Sequence, residues 1–272
     1  MKKVCISVLI TLSFIACSRQ QSLLSNYNGK GFYFTSSNGQ LYEYSNGISK
    51  VSNEKVNSLN FIDTNEVHTS TKSAVNILKL NGGIIFRHEP NQEVVSSVLT
   101  RDKSNFIYVT KSGNLFRYNL ISNQTEELNI KIYPLPKQMI YDDINNSVYY
   151  HDKSSVFKLD LKSLKVTMLT KLFFPIQAIA YNKKNKEVYF STSTDGRIYK
   201  VYEHSTAIFL VHQTISARGS AISIDSNSRK LFFSKSNGRD IIIKSLDLIS
   251  NDINDILTIH QVNHIEQLMV MD

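Results

Sequence analysis

A short run of three aromatic or β-branched residues recurs along the chain, as in Phe32-Tyr33-Phe34. After each run come a few polar residues and then a second apolar stretch, such as Leu41–Tyr44. The steps between runs range from 35 residues (32 to 67) to 43 residues (188 to 231). A period near this length, built from short strands and polar turns, predicts the blades of a β-propeller. The six runs begin at Phe32, Val67, Ile107, Val148, Val188 and Leu231.

A further short strand precedes most of these runs and ends in Asp or Asn. Small residues are frequent in two of these strands, Gln177–Tyr181 and Ser220–Ile224, which suits innermost strands that crowd around a central axis. Asp and Asn side chains often bond their own backbone in tight turns, so we interpret this column as turn chemistry rather than as a ring of metal ligands. The strand ends are Asp63, Asp102, Asp142, Asn182 and Asp225.

The two ends of the chain complete the pattern. Residues Gln267–Asp272 match an inner strand, but no run follows them, and the run at Phe32 has no inner strand before it. We therefore predict an all-β, six-bladed β-propeller over residues 30–272, closed by pairing the C-terminal strand with the first blade. Such closure leaves no open sheet edge at the seam.

The repeat resembles those of the YWTD and NHL propellers over roughly residues 30–272. Tyr108-Val109-Thr110-Lys111 has Lys where a YWTD repeat has Asp, and no copy contains the Trp. The resemblance implies the six-bladed architecture, and no ligand-binding residue is carried over from it.

The amino terminus carries a different signal. Lys2 and Lys3 precede an apolar run, Val4–Ile15, that is too short to span a bilayer as a mature helix. The sequence Phe14-Ile15-Ala16-Cys17 then resembles the lipobox of bacterial lipoproteins, which implies that residues 1–16 are a signal peptide and that Cys17 carries lipid, palmitate included. An ordinary secretory signal with an incidental Cys is the alternative. Residues 17–29 are interpreted as the lipidated Cys and a polar tether.

The expected location follows from the lipid anchor. Ser18, rather than an Asp resembling an inner-membrane retention signal, follows Cys17, which favours the outer membrane, on the periplasmic side or exposed at the surface. The other cysteine, Cys5, leaves with the signal peptide. The mature chain then has no thiol for a disulfide, a zinc site or a nucleophile, and we expect no cofactor besides the lipid on Cys17.

The net charge limits the partners. The formal charge of the whole chain is +8, and Lys2 and Lys3 belong to the signal peptide. The densest basic run is Lys183, Lys184 and Lys186, which is not the concentrated stripe that nucleic-acid binding usually shows. We therefore expect no nucleic-acid partner, and we expect a monomer.

Candidate catalytic groups are few. His260 and His264 are four residues apart, but they fall in a connection between strands, and no Glu follows His260 as a zincin motif requires. Lactonase-like six-bladed enzymes hold a divalent cation in the central channel, and Glu266 at the start of the last strand is the one candidate ligand for such an ion. A propeller hydrolase or lactonase with a channel cation is therefore the alternative function.

The leading hypothesis is a non-enzymatic binding or scaffold module that uses one propeller face. Turns between second and third strands share that face with the blade-to-blade loops, where all four prolines occur: Pro90, Pro134, Pro136 and Pro175. Stiff loops with aromatic residues and surrounding cations suit the docking of a protein or an anionic glycan. The predicted face comprises Tyr133, Phe173 and Phe174 beside the blade-to-blade prolines, and Lys72, Lys111, Lys153, Lys235, Arg197 and Arg239 in or near the turns.

Overall fold

The computed structural model describes residues 31–45, 47–63, 66–79, 83–194, 196–213, 219–225, 227–260, 262 and 264–271. Cys17, the signal peptide and the tether lie outside the described residues, so the lipid anchor and the proposed domain boundaries stay predictions. In these ranges, no helix is long and apolar enough to cross a lipid bilayer.

In the described part of the chain, twenty-four antiparallel strands form six four-stranded sheets, which are the six predicted blades. Blade 1 contains β1 (Gly31–Ser36), β2 (Leu41–Tyr44) and β3 (Ile48–Ser52), and blade 2 contains β4 (Ser58–Asp63), β5 (Glu66–Ser70), β6 (Val75–Lys79) and β7 (Ile84–His88). Blade 3 contains β8 (Val94–Leu99), β9 (Asn105–Thr110), β10 (Asn114–Asn119) and β11 (Gln124–Lys131), and blade 4 contains β12 (Gln138–Asp142), β13 (Ser147–His151), β14 (Ser155–Asp160) and β15 (Lys165–Lys171). Blade 5 contains β16 (Ile176–Asn182), β17 (Glu187–Thr192), β18 (Ile198–Tyr202) and β19 (Ile208–His212), and blade 6 contains β20 (Ile222–Ile224), β21 (Lys230–Asn237), β22 (Asp240–Asp247) and β23 (Ile253–His260).

The last strand closes the ring as predicted. β24 (Ile265–Met271) is the innermost strand of blade 1 and pairs with β1, so the sheet order there is β24-β1-β2-β3. Its register places Phe32 opposite Val270 and Phe34 opposite Leu268. The first and last described strands thus share one blade.

The recurring apolar runs lie in the second strand of each blade, where both sheet faces are covered. In blade 1, Phe32 and Phe34 pack towards blade 6 beside Phe232, while Tyr33 points to the opposite face and packs against Leu59 of blade 2. Six such clusters fill the spaces between neighbouring blades in the described part of the chain. Burial on both faces explains why these strands are continuously apolar rather than alternating.

The antiparallel order defines two faces. The upper face is the one that carries the blade-to-blade loops and the turns between the second and third strands of each blade. The lower face carries the other turns. On the lower face, the Asn182 side-chain oxygen accepts the backbone N–H groups of Lys184 and Asn185, and Asp225 accepts those of Arg229 and Lys230. Asp102 and Asp142 bond their turns in the same way. The interpretation of this column as turn chemistry is confirmed at these four positions.

Candidate functional site

The predicted aromatic residues lie on loops of the upper face that precede and follow blade 4. Tyr133 lies in the loop from blade 3 to blade 4, Lys153 in the turn between β13 and β14, and Phe173 and Phe174 in the loop from blade 4 to blade 5. Phe173 is fully exposed, and Phe174 and Tyr133 are 51% and 60% exposed. We call Tyr133, Lys153, Phe173 and Phe174 the aromatic patch.

Backbone hydrogen bonds hold the Phe173–Phe174 loop at both ends. The N–H of Leu172 donates to the carbonyl of Ser154 at 2.8 Å, and that of Ile176 donates to the carbonyl of Lys153 at 2.7 Å. The carbonyl of Pro175 accepts the N–H of Ser193 on blade 5 at 2.8 Å. The two phenylalanines therefore project from a fixed loop, which lowers the conformational entropy lost on binding.

Tyr133 is held from the neighbouring turn. Its hydroxyl donates to the carbonyl of Ser112 at 2.6 Å. Its ring lies against Gly113, which has a φ of +84°, and a Cβ at Gly113 would approach the ring to 2.8 Å. Glycine suits this position because it adopts a positive φ without strain and leaves room for the ring. The hydroxyl hydrogen bond and the contact with Gly113 together fix the direction of the tyrosine.

The predicted lysines differ in their electrostatic surroundings. Lys72 and Lys111 share one carboxylate, that of Glu93, at 3.2 and 3.3 Å. Hydrogen bonds from these two ammonium groups hold the pKa of Glu93 below its usual value. Lys153 is exposed and has no ion pair with another described residue. It is therefore the most available cation beside the aromatic rings.

The remaining predicted cations lie on blades 5 and 6. Arg197 is half-buried just before β18, and Arg239 is exposed in the turn between β21 and β22. Lys235 was predicted in that turn, but it lies inside β21, opposite Ile242. The position differs because β21 and β22 are eight residues each, so the hairpin extends two residues beyond Lys235 before it turns.

At the upper end of the central channel, Glu266 meets two polar side chains. Its carboxylate accepts a hydrogen bond from the Gln177 amide at 3.0 Å, and the His264 imidazole lies 3.6 Å from its other oxygen. No group of three or more His, Cys, Asp or Glu side chains among the described residues is placed to hold a metal ion. The alternative of a hydrolase with a channel cation stays a prediction.

The histidine pair of the sequence pattern is divided between two strands. His260 ends the outer strand β23, where it lies 3.2 Å from Asp240, and its side chain is mostly exposed. His264 is buried just before the inner strand β24. His260 therefore lies at the outer edge of blade 6, whereas His264 lies beside the inner strand of blade 1, and the two rings have different partners.

The described part of the lower face contains cavities that the sequence pattern does not predict. A groove of about 560 Å³ lies between blades 3 and 4, and a cavity of about 300 Å³ lies at the lower end of the channel. Thr100 and Tyr141 line both. The residues that line the groove are scattered between positions 100 and 161. They lie on several strands and turns, so no local sequence motif marks them.

No protein-family model and no curated protein sequence matches the chain. Its fold is similar to that of a chain in the crystal structure of the nidogen/laminin complex, with a TM-score of 0.68 over 89% of this chain and 98% of that chain, at 10% identity. A second similar structure is the hydrazine synthase of Kuenenia stuttgartiensis, with a TM-score of 0.58 over 74% of this chain and 65% of that chain, at 8% identity. The chain is a six-bladed β-propeller, and likeness at these identities shows the fold alone.

Proposed function

We propose that this propeller is a non-enzymatic binding module of the bacterial envelope, anchored to the outer membrane by lipid on Cys17, and that the aromatic patch docks a protein. The observation that carries the proposal is the exposure of Phe173 and Phe174 on a loop pinned at both ends. Exposed aromatic side chains on fixed backbone are typical anchors of protein interfaces.

Charge supports a partner with a complementary surface. Lys153 stands beside the phenylalanines without an ion pair among the described residues, so an acidic group beside an apolar pocket would suit this patch. A protein surface offers both features together. The similar chain with the TM-score of 0.68 comes from the crystal structure of a nidogen/laminin complex, which is compatible with a propeller that binds protein.

The test is a cross-linked pull-down of the tagged, lipidated protein from intact envelopes. We expect a reproducible partner that is lost with Phe173→Ser/Phe174→Ser and reduced with Lys153→Glu, because these changes remove the anchors and reverse the free cation. Ile121→Ser is the matched control, since Ile121 is an equally prominent apolar side chain on the lower face. Lys111→Glu is a less clean reversal because it also places a second carboxylate beside Glu93.

Two outcomes would contradict the proposal. Recovery of the same partner by the double phenylalanine variant would exclude the aromatic patch as the docking site. Recovery of no specific protein by the wild type would contradict a protein-binding role altogether.

A further inference from the structure

The groove between blades 3 and 4 has a lining dominated by side chains that both donate and accept hydrogen bonds. Four amides contribute, and three of them stand side by side on the neighbouring strands β9, β10 and β11. Neutral amides can bond a hydroxyl in either direction, which charged side chains cannot do. The four amides are those of Asn105, Asn119, Gln124 and Asn146.

Internal hydrogen bonds fix part of this lining and leave part of it available. The Asn119 amide donates to the Asn105 oxygen at 3.2 Å, while its own oxygen accepts the N–H of Ser122 at 2.8 Å. Gln124, by contrast, is exposed on the outer strand β11. The groove thus combines fixed amides on the second and third strands of blade 3 with an accessible amide on its outer strand. Side chains that are already fixed lose less entropy when a ligand binds.

The charges around the groove and the adjoining channel cavity are balanced. Arg117 pairs with Glu126 at 3.4 Å, and Arg101 pairs with Asp143. The two linings together contain three cations and three carboxylates, the remaining two being Lys183 and Asp102. Nucleic acid requires an uncompensated row of cations, so this surface is unsuited to it. An anionic polymer is disfavoured for the same reason.

An apolar ligand is also disfavoured, because Ile107 and Leu161 are the apolar side chains that line the groove. One aromatic ring, that of Tyr141, stands where the groove meets the channel cavity. The Tyr141 hydroxyl donates to the Asn146 oxygen at 3.1 Å, which helps to fix the ring. A single ring among amides matches a sugar, which has an apolar face of C–H groups and a rim of hydroxyls.

From this lining we propose that the groove between blades 3 and 4 binds an uncharged oligosaccharide, with one sugar ring on Tyr141 and the hydroxyls of its neighbours on the amides. The groove volume of about 560 Å³ lies in the range of ligand sites, and the groove continues at Tyr141 into the channel cavity. The site is on the face opposite the aromatic patch and does not depend on the proposed docking of a protein.

The test uses the mature chain in a detergent without a sugar headgroup. Chitotetraose, cellotetraose and maltotetraose are each titrated at millimolar concentration by calorimetry, with saturation-transfer NMR as a second readout. We expect at least one tetrasaccharide to bind. Tyr141→Ala is expected to weaken binding about tenfold, and Tyr141→Phe, which keeps the ring, much less.

Gln124→Ala is a second variant, and it should leave the core folded because Gln124 is exposed. It should weaken binding about fivefold, the loss of one or two hydrogen bonds. Gln213→Ala, an exposed glutamine beyond β19 on the other face, is the matched control and should leave binding unchanged. Absence of binding by all three tetrasaccharides, or binding that Gln124→Ala and Tyr141→Ala leave intact, would overturn the proposal. Phe173→Ser/Phe174→Ser should not alter sugar binding.

Discussion

His68 is fully buried between blades 2 and 3, at a position where the other repeats carry an aromatic or large apolar residue. One ring nitrogen lies 2.8 Å from the Ser97 hydroxyl and the other lies 3.2 Å from the carbonyl of Asn76. The imidazole packs against Phe106 with the ring centroids 5.2 Å apart. A polar ring is tolerated here because both of its nitrogens have partners.

Buried histidines make the stability of the propeller depend on acid pH. Burial lowers the pKa of His68 to about 3 and that of His151 to about 4, whereas an unfolded histidine titrates near 6.5. Below pH 6.5, His68 and His151 therefore bind protons in the unfolded chain but stay neutral in the folded chain until the pH is much lower. The free energy of unfolding should fall as the pH drops from 6.5 towards 4, by about 2 kcal/mol per histidine at pH 5. Urea unfolding at pH 7.5, 6 and 5 measures this slope.

His68→Gln separates this effect from the titration of carboxylates. The variant should be less stable at pH 7.5, but its stability should change less between pH 7.5 and 5. His204→Gln, at an exposed position, serves as the control and should keep the wild-type slope. A slope for His68→Gln as steep as that of the wild type would contradict the role of His68.

The outer strands show how single elements are protected from pairing with other chains. Each blade ends in a strand with one unpaired edge, and charged side chains on such edges discourage association. Five outer strands contain charges, for example Lys50 on β3, Arg87 on β7 and Asp255 on β23. β19, with the sequence Ile-Phe-Leu-Val-His, contains no Asp, Glu, Lys or Arg, and Ile208, Phe209 and Leu210 are all partly exposed.

β19 is therefore the strand most prone to association at high protein concentration. Leu210→Lys should reduce concentration-dependent light scattering, because it places a charge on the edge, while the free energy of unfolding changes by less than about 0.5 kcal/mol. Ile253→Lys on β23, an edge that already has Asp255, is the matched control and should have little effect on scattering. Equal scattering by wild type and Leu210→Lys would exclude this edge as the cause.

Across the whole molecule, stability depends on packing between blades and on the closure of the ring. Each inter-blade cluster joins two sheets, so the unfolding of one blade would expose apolar side chains of its neighbours to water. Blade 1 is the only described blade that combines the first strands of the propeller with its last strand. Leu268 and Val270 of β24 contribute to the cluster that joins blade 1 to blade 6. Closure thus couples the last seven strand residues to the start of the propeller.

Removal of β24 should prevent cooperative folding. A chain that ends at His264 leaves Phe32 and Phe34 without their inner strand, and we expect it to show no sharp thermal transition. Leu268→Ala tests the same contact more gently and should lower the free energy of unfolding by about 2–4 kcal/mol through the cavity it creates. Ile249→Ala, on an exposed lower-face turn, should cost less than about 0.5 kcal/mol. A sharp transition in the truncated chain would show that the seam is dispensable.

The sequence by itself determined the repeat, the number of blades and the seam. These features depend on local chain geometry: a strand with both faces buried must be apolar throughout, and a reversing turn favours Asp or Asn. The unmatched strand at Gln267–Asp272 then left one way to close the ring. Placement of the prolines and of Tyr133, Phe173 and Phe174 on one face followed from the strand order.

The tertiary structure decided which side chains meet. Only the folded blades bring Glu93 to both Lys72 and Lys111, which leaves Lys153 as the more available cation. Only the folded blades place Gln177 beside Glu266, 89 residues away. The groove at Tyr141 likewise forms from two blades. Contacts between blades join residues that are distant in sequence, and their geometry depends on sheet twist and hairpin length, which no local pattern of polar and apolar residues specifies.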